Sequence, residues 1–315
     1  MTDLSIVIVN WNTSALLKGC LRSIYGQSDG PSLEVLVVDN ASSDDSVAMV
    51  RREFGHVRLI ESPTNLGFAS GNNLAFPLAE GAHVLLLNPD TVLTEGSLST
   101  LVGMAQAHPK AAIVGAQLLN ADGSLQASFG IYPSVWSEIP LVKGLAERIA
   151  LLRLGRNRDA DPSVRPVDWV SGACLLIRQE ALRAIGPLDE SYWLYTEETD
   201  WCYRARRAGW EVLLVPSARV YHLARASSGQ RFVFSMLHFY QSRVRFARKH
   251  YGAAHAAALQ RLYLLKALMW QRQPERSPLH KAYADLSDEQ IRKAYGTLRR
   301  ALASPLTTYL ESSWS

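Results

Sequence analysis

Val35-Leu36-Val37-Val38-Asp39-Asn40-Ala41-Ser42-Ser43-Asp44 and Val84-Leu85-Leu86-Leu87-Asn88-Pro89-Asp90-Thr91 follow one plan: an unbroken apolar run, then an acid among small polar residues. A strand that is apolar at every position is covered on both faces, as in a sheet flanked by helices. Residues 5–9, 34–38, 57–60 and 83–87 are the predicted strands. Segments of helical period lie between them: Leu16, Leu17, Cys20, Leu21 and Ile24 after the capping-type Asn12-Thr13-Ser14, and Val47, Val50 and Phe54 after Ser42-Ser43-Asp44-Asp45. Strands alternating with helices predict an α/β fold of crossover units with a mainly parallel sheet. Ligands of such sheets bind at the carboxyl ends of the strands, which is where these polar turns fall.

Each polar turn has a chemical reading and a plainer one. Asp39, at the end of its strand, can accept the imide N–H of uracil or thymine; standing alone it reads as a turn-capping aspartate. Asp90 suits the sparse Mg²⁺ or Mn²⁺ site in which one or two carboxylates are completed by substrate phosphates and water, and it equally suits an Asn-Pro-Asp turn. Tyr195-Thr196-Glu197-Glu198-Thr199-Asp200 packs three carboxylates into four positions. Adjacent acids raise one another's pKa, which makes Glu198 and Glu197 candidates for a general base, while Asp200 stands four residues before Arg204 and reads mainly as its structural or positioning partner. Asn65-Leu66-Gly67-Phe68-Ala69-Ser70-Gly71-Asn72-Asn73 supplies amides and small residues where backbone can approach a ligand. His222 follows a later apolar strand and is, taken alone, a hydrogen-bonded bystander.

Beyond Asn120-Ala121-Asp122-Gly123 the pattern is irregular to about residue 166, with Pro133, Pro140, Pro162 and a basic stretch at 148–158. Regular signals return over 167–177, a helix is predicted over 197–208 with Gly209 ending it, and the chain reads helical from Phe232, with Ser287-Asp288-Glu289-Gln290 as a capping box. The expected division is a catalytic domain over 1–230, with halves at about 1–120 and 165–230, and a helical extension over 231–315.

The chain has 315 residues, 48% of them hydrophobic, enough for a folded core and against disorder. Its charge is divided: residues 1–200 hold 14 Lys or Arg against 23 Asp or Glu, a net −9, and residues 201–315 hold 19 against 6, a net +13. The acidic part suits a metal and the basic part suits phosphate or anionic lipid, with a solvated face as the other reading. Cys20, Cys174 and Cys202 are too few and scattered for a disulfide framework or a cysteine zinc site, and the opening Met1-Thr2-Asp3 lacks a basic signal region, so a cytoplasmic protein is expected. No Gly-x-Gly-x-x-Gly follows the first strand and no phosphate-loop motif occurs, which excludes the dinucleotide oxidoreductases and phosphate-loop NTPases. No nucleic-acid module accompanies the basic tail, and no nucleic-acid partner is expected.

In order, Ile6-Val7-Ile8-Val9-Asn10-Trp11-Asn12, Val37-Val38-Asp39-Asn40-Ala41-Ser42, Asn65-Leu66-Gly67-Phe68, Leu87-Asn88-Pro89-Asp90, Ser171-Gly172-Ala173 and Glu197-Glu198-Thr199-Asp200 resemble the family 2 glycosyltransferases, over roughly residues 4–252. Within that family the chain looks most like the bacterial rhamnosyltransferase branch. The resemblance implies a GT-A fold, a Rossmann-like nucleotide-diphospho-sugar transferase sheet with a C-terminal helical extension. It places Val9, Trp11 and Asp39 at the nucleotide base, with Asn65, Gly71 and Asn88 among the nucleotide-binding residues. It also assigns Asp90 and His222 to the metal, and Glu198, with Glu197 and Asp200 beside it, to catalysis. Two positions depart from the family pattern: Asn88 stands where an acid is common, and Glu198 where aspartate is common.

The implied reaction is an inverting, Mg²⁺- or Mn²⁺-assisted transfer, preferably of L-rhamnose from dTDP-rhamnose, to a glycan or lipid-linked hydroxyl in cell-surface polysaccharide synthesis. A UDP-linked hexose, galactofuranose or N-acetylhexosamine is the alternative donor, and a degenerate sugar-nucleotide binder the alternative protein. The basic tail, residues 243–249 and 259–270, is suited to a peripheral place on the inner face of an anionic plasma membrane; a packed helix pair or a dimer interface is the other reading.

Overall fold

The structure, a computed structural model, describes residues 2–28, 30–139, 164–223, 232–282 and 286–311. The predicted basic stretch at 148–158, with Pro140 and Pro162, lies outside them. The described residues group into two compact units, one of 2–28, 30–132 and 164–223, the other of 133–139, 232–282 and 286–311.

The first unit carries β1 (Leu4–Asn10), α1 (Ser14–Tyr25), β2 (Leu33–Asp39), α2 (Ser46–Glu53), β3 (Arg58–Glu61), α3 (Gly67–Ala75), β4 (His83–Leu87), β5 (Thr91–Leu93), α4 (Ser97–Ala107), β6 (Ala111–Leu119), β7 (Phe129–Gly130), β8 (Arg165–Pro166), β9 (Trp169–Val170), β10 (Cys174–Arg178), α5 (Gln179–Ile185), α6 (Glu197–Arg207) and β11 (Glu211–His222). Its main sheet runs β3-β2-β1-β4-β10-β6-β11-β5, with β8 paired to β11. β1 to β4 are mutually parallel and β6 is parallel to β11; β10, β8 and β5 are antiparallel to their neighbours. The four strands read from the apolar runs are present within a residue or two; β1, β2 and β4 are covered on both faces, and β3 is a half-buried edge strand. Ile6, Ile8, Val35 and Val37 pack on one side of the sheet with α1, while Val7, Leu36, Val38 and Leu86 pack on the other with α3.

Helix ends hold the loops that matter. α6 has Glu197, Glu198 and Asp200 in its first turn and Arg204, Arg206 and Arg207 in its last, which matches its dipole, and Gly209 (φ +89°) follows its end in the left-handed region. At α1 the expected cap is replaced: Thr13 donates instead to Asn10 Oδ1 (2.6 Å), and Asp44 Oδ2 accepts from the Ser14 N–H (2.9 Å). The polar residues of the first two loops thus bind one another across the sheet edge.

The second unit carries α7 (Phe232–Tyr251), α8 (Ala253–Arg272), α9 (Pro278–Ala282), α10 (Asp288–Leu302) and α11 (Leu306–Glu311). The Ser287–Gln290 capping box forms as predicted. Leu259, Tyr263, Ala267 and Trp270 make one stripe of α8 and are buried in this unit's core, and Arg243 is held by Tyr263 Oη (2.7 Å) and Glu138. These side chains are used in packing, as the helix-pair reading has it, and the exposed stripe of α8 is Arg261, Leu265, Met269 and Arg272. No described helix is long and apolar enough to cross a bilayer.

Candidate active site

Asn10 and Asp39 end neighbouring parallel strands in register, and their side chains organise the first corner of the site. Asn10 Nδ2 donates to Asp39 Oδ1 (3.0 Å) and Ser42 Oγ (3.2 Å), and the Ser42 N–H donates to Asp39 Oδ2 (2.8 Å). Asp39, 3% exposed, is therefore a turn anchor as its plainer reading held. Each carboxylate oxygen still has a free lone pair, so anchoring the turn does not bar it from accepting an imide N–H. Trp11 follows, half-buried, before Asn12, whose left-handed backbone (φ +54°) is matched by that of Ala41 (φ +60°) in the facing loop. The Asn12 N–H donates to Ser42 Oγ (2.9 Å) and the Ser43 N–H to Asn12 Oδ1 (2.7 Å), which stabilises both conformations.

The Asn65–Asn73 segment packs against this corner. Asn65 Oδ1 accepts from the Gly67 N–H (3.0 Å), and Asn40 Nδ2 donates to the Gly67 carbonyl (2.9 Å). Gly67 is left-handed (φ +79°), and a Cβ there would overlap the Trp193 carbonyl, which accepts from the Phe68 N–H (3.0 Å). Gly71 has no side chain because a Cβ would stand 2.9 Å from a methyl of Val9 and 3.3 Å from Asn40 Nδ2. Val9 and Gly71, both predicted at the nucleotide, are thus direct neighbours.

The second corner joins Asn88, Asp90 and His222. Antiparallel pairing places His222 opposite Thr91, and the Leu223 N–H donates to the Asp90 carbonyl (2.8 Å). His222 Nε2 then lies 3.3 Å from Asp90 Oδ1 and 3.4 Å from Asn88 Nδ2. His222 Nδ1 meets Gln126 Oε1 at 2.7 Å. A carboxylate oxygen and an imidazole nitrogen that distance apart fit adjacent positions of an octahedral cation, whose neighbouring donors are about 3 Å apart. Among the described residues no group of three or more His, Cys, Asp or Glu side chains converges as a metal site. The donors present fit a hard divalent cation that takes its remaining ligands from water and phosphate.

The third corner is the start of α6. Tyr195 and Thr196 are both left-handed (φ +67° and +73°), a strained pair that delivers Glu197 and Glu198 to the first helical turn. Glu197 is 4% exposed and Glu198 half-buried, and Oε2 of each is buried with no hydrogen-bond partner. Burial raises both pKa values. Glu197 moves well above the carboxylate range, because the Glu198 charge adds to its desolvation; Glu198 is held back by backbone N–H groups of the helix start and by the Thr199 hydroxyl, 3.3 Å from Oε1. Asp200 is fully buried and spent on structure: Arg204 Nε donates to Oδ2 (2.8 Å) and Tyr192 Oη approaches Oδ1 at 3.4 Å.

Ser171-Gly172-Ala173 links the corners. A Cβ on Gly172 would stand 3.7 Å from Glu198 Cβ and 3.5 Å from the Phe68 ring, and the Ala173 carbonyl accepts from the Asn88 N–H (3.0 Å). The predicted site residues thus fall in three groups, Val9, Trp11, Asp39, Asn65 and Gly71, then Asn88, Asp90 and His222, then Glu197 and Glu198, with Asp200 in the same helical turn but paired with Arg204. Gln126 was missed, since it lies in the irregular stretch after residue 123 where no periodicity marks it.

A family profile described as "Glycosyltransferase like family 2" matches residues 2–236. An N-acetylglucosaminyl-diphospho-decaprenol L-rhamnosyltransferase of Mycobacterium tuberculosis is 32% identical over 250 residues, 73% of this chain and 79% of that protein. The rhamnosyltransferase WbbL of Escherichia coli is 23% identical over 70% of this chain and 83% of its own length. Among solved structures, GalNAc-T7 with UDP, GalNAc and Mn²⁺ superimposes with a TM-score of 0.60 at 15% identity; the match covers 99% of this chain and 56% of that one. The mannosyltransferase PcManGT from Pyrobaculum calidifontis, in complex with GDP-Man and Mn²⁺, gives 0.57 at 14% identity, over 95% and 89%. These likenesses identify the fold as GT-A, and the profile and relatives together show that the chain belongs to glycosyltransferase family 2.

Proposed function

We propose that this transferase moves L-rhamnose from dTDP-rhamnose, with inversion, to a hydroxyl of a lipid-linked or glycan acceptor in cell-surface polysaccharide synthesis. The observation that carries the reading is the Ser171-Gly172-Ala173 loop, which sets Glu198 and Asn88 on either side of one short backbone segment. A base and a leaving-group site must flank one reacting carbon, and this loop holds the two together. The relative of known substrate class transfers L-rhamnose to a decaprenol-linked acceptor, which supports the choice of sugar.

The residues divide the work as follows. Asp39 accepts from the base of the nucleotide, with Val9 and Trp11 against its face. Asp90 and His222, with the Asn88 amide beside them, would hold the Mg²⁺ or Mn²⁺ ion that neutralises the departing diphosphate. Glu198 takes the proton of the acceptor hydroxyl as that oxygen bonds to the anomeric carbon and the bond to the diphosphate oxygen breaks. Burial raises the pKa of both glutamates, and the Glu198 charge adds to the rise at Glu197. One displacement inverts the anomeric centre. NMR of the product's anomeric carbon and proton tests this: the inverted configuration is expected, and retention would exclude Glu198 as the base of a single displacement.

A bilayer is the fitting partner for the helical unit. Residues 212–274 contain ten Lys or Arg and no Asp or Glu. On α8, Leu265 (63% exposed) and Met269 (46%) stand between the exposed Arg261 and Arg272, an apolar stripe with cations at its ends. That pattern suits anionic headgroups. Sedimentation with phosphatidylglycerol vesicles at low salt is expected for the wild type and not for the Leu265→Asp, Met269→Asp double variant; a wild type left in the supernatant rejects the bilayer, and a concentration-dependent dimer lost in the same variant would name a second copy instead.

A further inference from the structure

We propose that Gln126 is a positioning residue that fixes the tautomer of His222, holding the hydrogen on Nδ1 and leaving Nε2 to face Asp90 and Asn88. Gln126 Nε2 lies 3.3 Å from the His222 backbone carbonyl and 3.0 Å from Asn120 Oδ1. A backbone carbonyl only accepts, so the donor end of the Gln126 amide is turned toward it, and the end that meets His222 Nδ1 at 2.7 Å is Oε1. Oε1 in turn only accepts, and therefore Nδ1 carries the hydrogen.

In its neutral form the ring then presents Nε2 as a bare lone pair on its other side, toward Asn88 Nδ2 and Asp90 Oδ1. The amide can donate to that lone pair, but the carboxylate cannot. Two acceptors 3.3 Å apart are a poor arrangement by themselves and a good one for sharing a cation. In the opposite tautomer Nε2–H would donate to Asp90, and the ring would close the site rather than serve it. Gln126 thus acts as the orienting partner behind a ligating histidine, a role in which the outer hydrogen bond sets the tautomer.

Gln126 is itself firmly placed. Its N–H donates to the Leu118 carbonyl (2.9 Å), and its own carbonyl accepts from Gln117 Nε2 (3.1 Å) and Ser128 Oγ (2.9 Å). Two residues on, the Ser128 carbonyl accepts from the Ser171 N–H (2.8 Å), at the head of the loop that reaches Glu198. The strap over 126–128 therefore touches both the histidine and the loop beside the base. The hydrogen on Nδ1 follows from the hydrogen bonds alone; the use of Nε2 for a diphosphate-bound cation rests on the proposed function.

The test compares the wild type with Gln126→Met, which keeps length and removes the acceptor, and Gln126→Glu, which keeps the acceptor. Long-range ¹H–¹⁵N spectra of the histidine rings, with His222→Asn used to assign the His222 signals, report the tautomer without metal or substrate. Mn²⁺ affinity in the presence of dTDP is read from the free-ion EPR signal. The expected result is an Nδ1–H ring in the wild type and in Gln126→Glu, loss of that signature in Gln126→Met, and a weakening of Mn²⁺ binding by about 10–100-fold in Gln126→Met alone. A wild-type ring protonated at Nε2, or a Gln126→Met protein with unchanged spectrum, overturns the proposal. A wild type with the Nδ1–H ring but no Mn²⁺ binding upholds the positioning by Gln126 and removes the cation from the proposed function.

Discussion

Glu198 Cβ stands 3.7 Å from the point where a Cβ on Gly172 would be, ordinary van der Waals contact, so the Ser171-Gly172-Ala173 loop passes close beside the side chain proposed as the base. Burial holds the Glu198 pKa above the ordinary 4.5. A base works ionised, so kcat/KM is expected to fall as pH drops through that raised value rather than near 4.5, and a limb at the ordinary carboxylate value would contradict the assignment. Glu198→Gln is expected to lower kcat by about 10²–10⁴-fold while dTDP affinity, measured by calorimetry, stays within a few-fold.

Asp200 is a contrasting case in the same helical turn. Its carboxylate is fully buried and paired with Arg204, whose side chain is 23% exposed. Breaking a fully buried pair costs about 3–5 kcal/mol, and the partial access of Arg204 to water lowers the expected cost of Asp200→Asn to about 2 kcal/mol. Urea denaturation should show that loss, while turnover per folded molecule stays close to wild type. A drop in turnover as deep as that of Glu198→Gln, at unchanged stability, would make Asp200 catalytic.

Gly67 and Gly71 tolerate alanine to different degrees. At Gly71 a Cβ presses on Val9 and Asn40, an overpacking of about 1–3 kcal/mol that would also push α3 from the corner proposed to bind the nucleotide. At Gly67 the added carbon meets the Trp193 carbonyl and the backbone is left-handed, so strain and overlap act together. Thermal melts should rank Gly67→Ala below Gly71→Ala, and donor KM should rise in Gly71→Ala. An equal or reversed order would contradict the packing described.

His83, at the far end of β4, gives the fold its own pH dependence. It is 4% exposed, and burial, then the Arg178 charge, lowers its pKa below 6.5 against the opposing pull of Asp3. The unfolded chain therefore binds a proton that the folded chain refuses, and stability is full above about 6.5 and falls as pH drops from there toward the lowered value. His83→Phe should flatten that slope in urea titrations between pH 7 and 5; an unchanged slope would place the effect elsewhere.

How much of this was legible in the sequence follows from what each contact depends on. β1, β2 and β4 announce themselves because both faces are buried, and Asp39 and Asp90 mark their ends. The meeting of Asp90 with His222 depends on the β5–β11 register, which no local pattern encodes. Gln126 sits in a stretch without period, where one glutamine looks like any other. Likewise Glu138 is a lone acid in an irregular segment, yet it accepts from Tyr263 (3.0 Å) and Lys266 (2.6 Å) and so ties residues 133–139 to the helical unit. The replacement of a Thr13 cap by Asp44 depends on two loops meeting across the sheet edge. Local signals reveal elements and chemistry-bearing ends, whereas partnerships across the sheet appear only with the fold.

The most direct test of the central claim is nucleoside diphosphate release from dTDP-L-rhamnose beside a panel of UDP-sugars, with a polyprenyl-diphosphate-linked N-acetylglucosamine acceptor, with Mg²⁺, with Mn²⁺ and with chelator, for wild type and Glu198→Gln. Metal-dependent release from dTDP-L-rhamnose, reduced about 10²–10⁴-fold in the variant, is the predicted result. Release from a UDP-sugar in place of dTDP-L-rhamnose would contradict the donor, and equal release by wild type and Glu198→Gln would contradict the base.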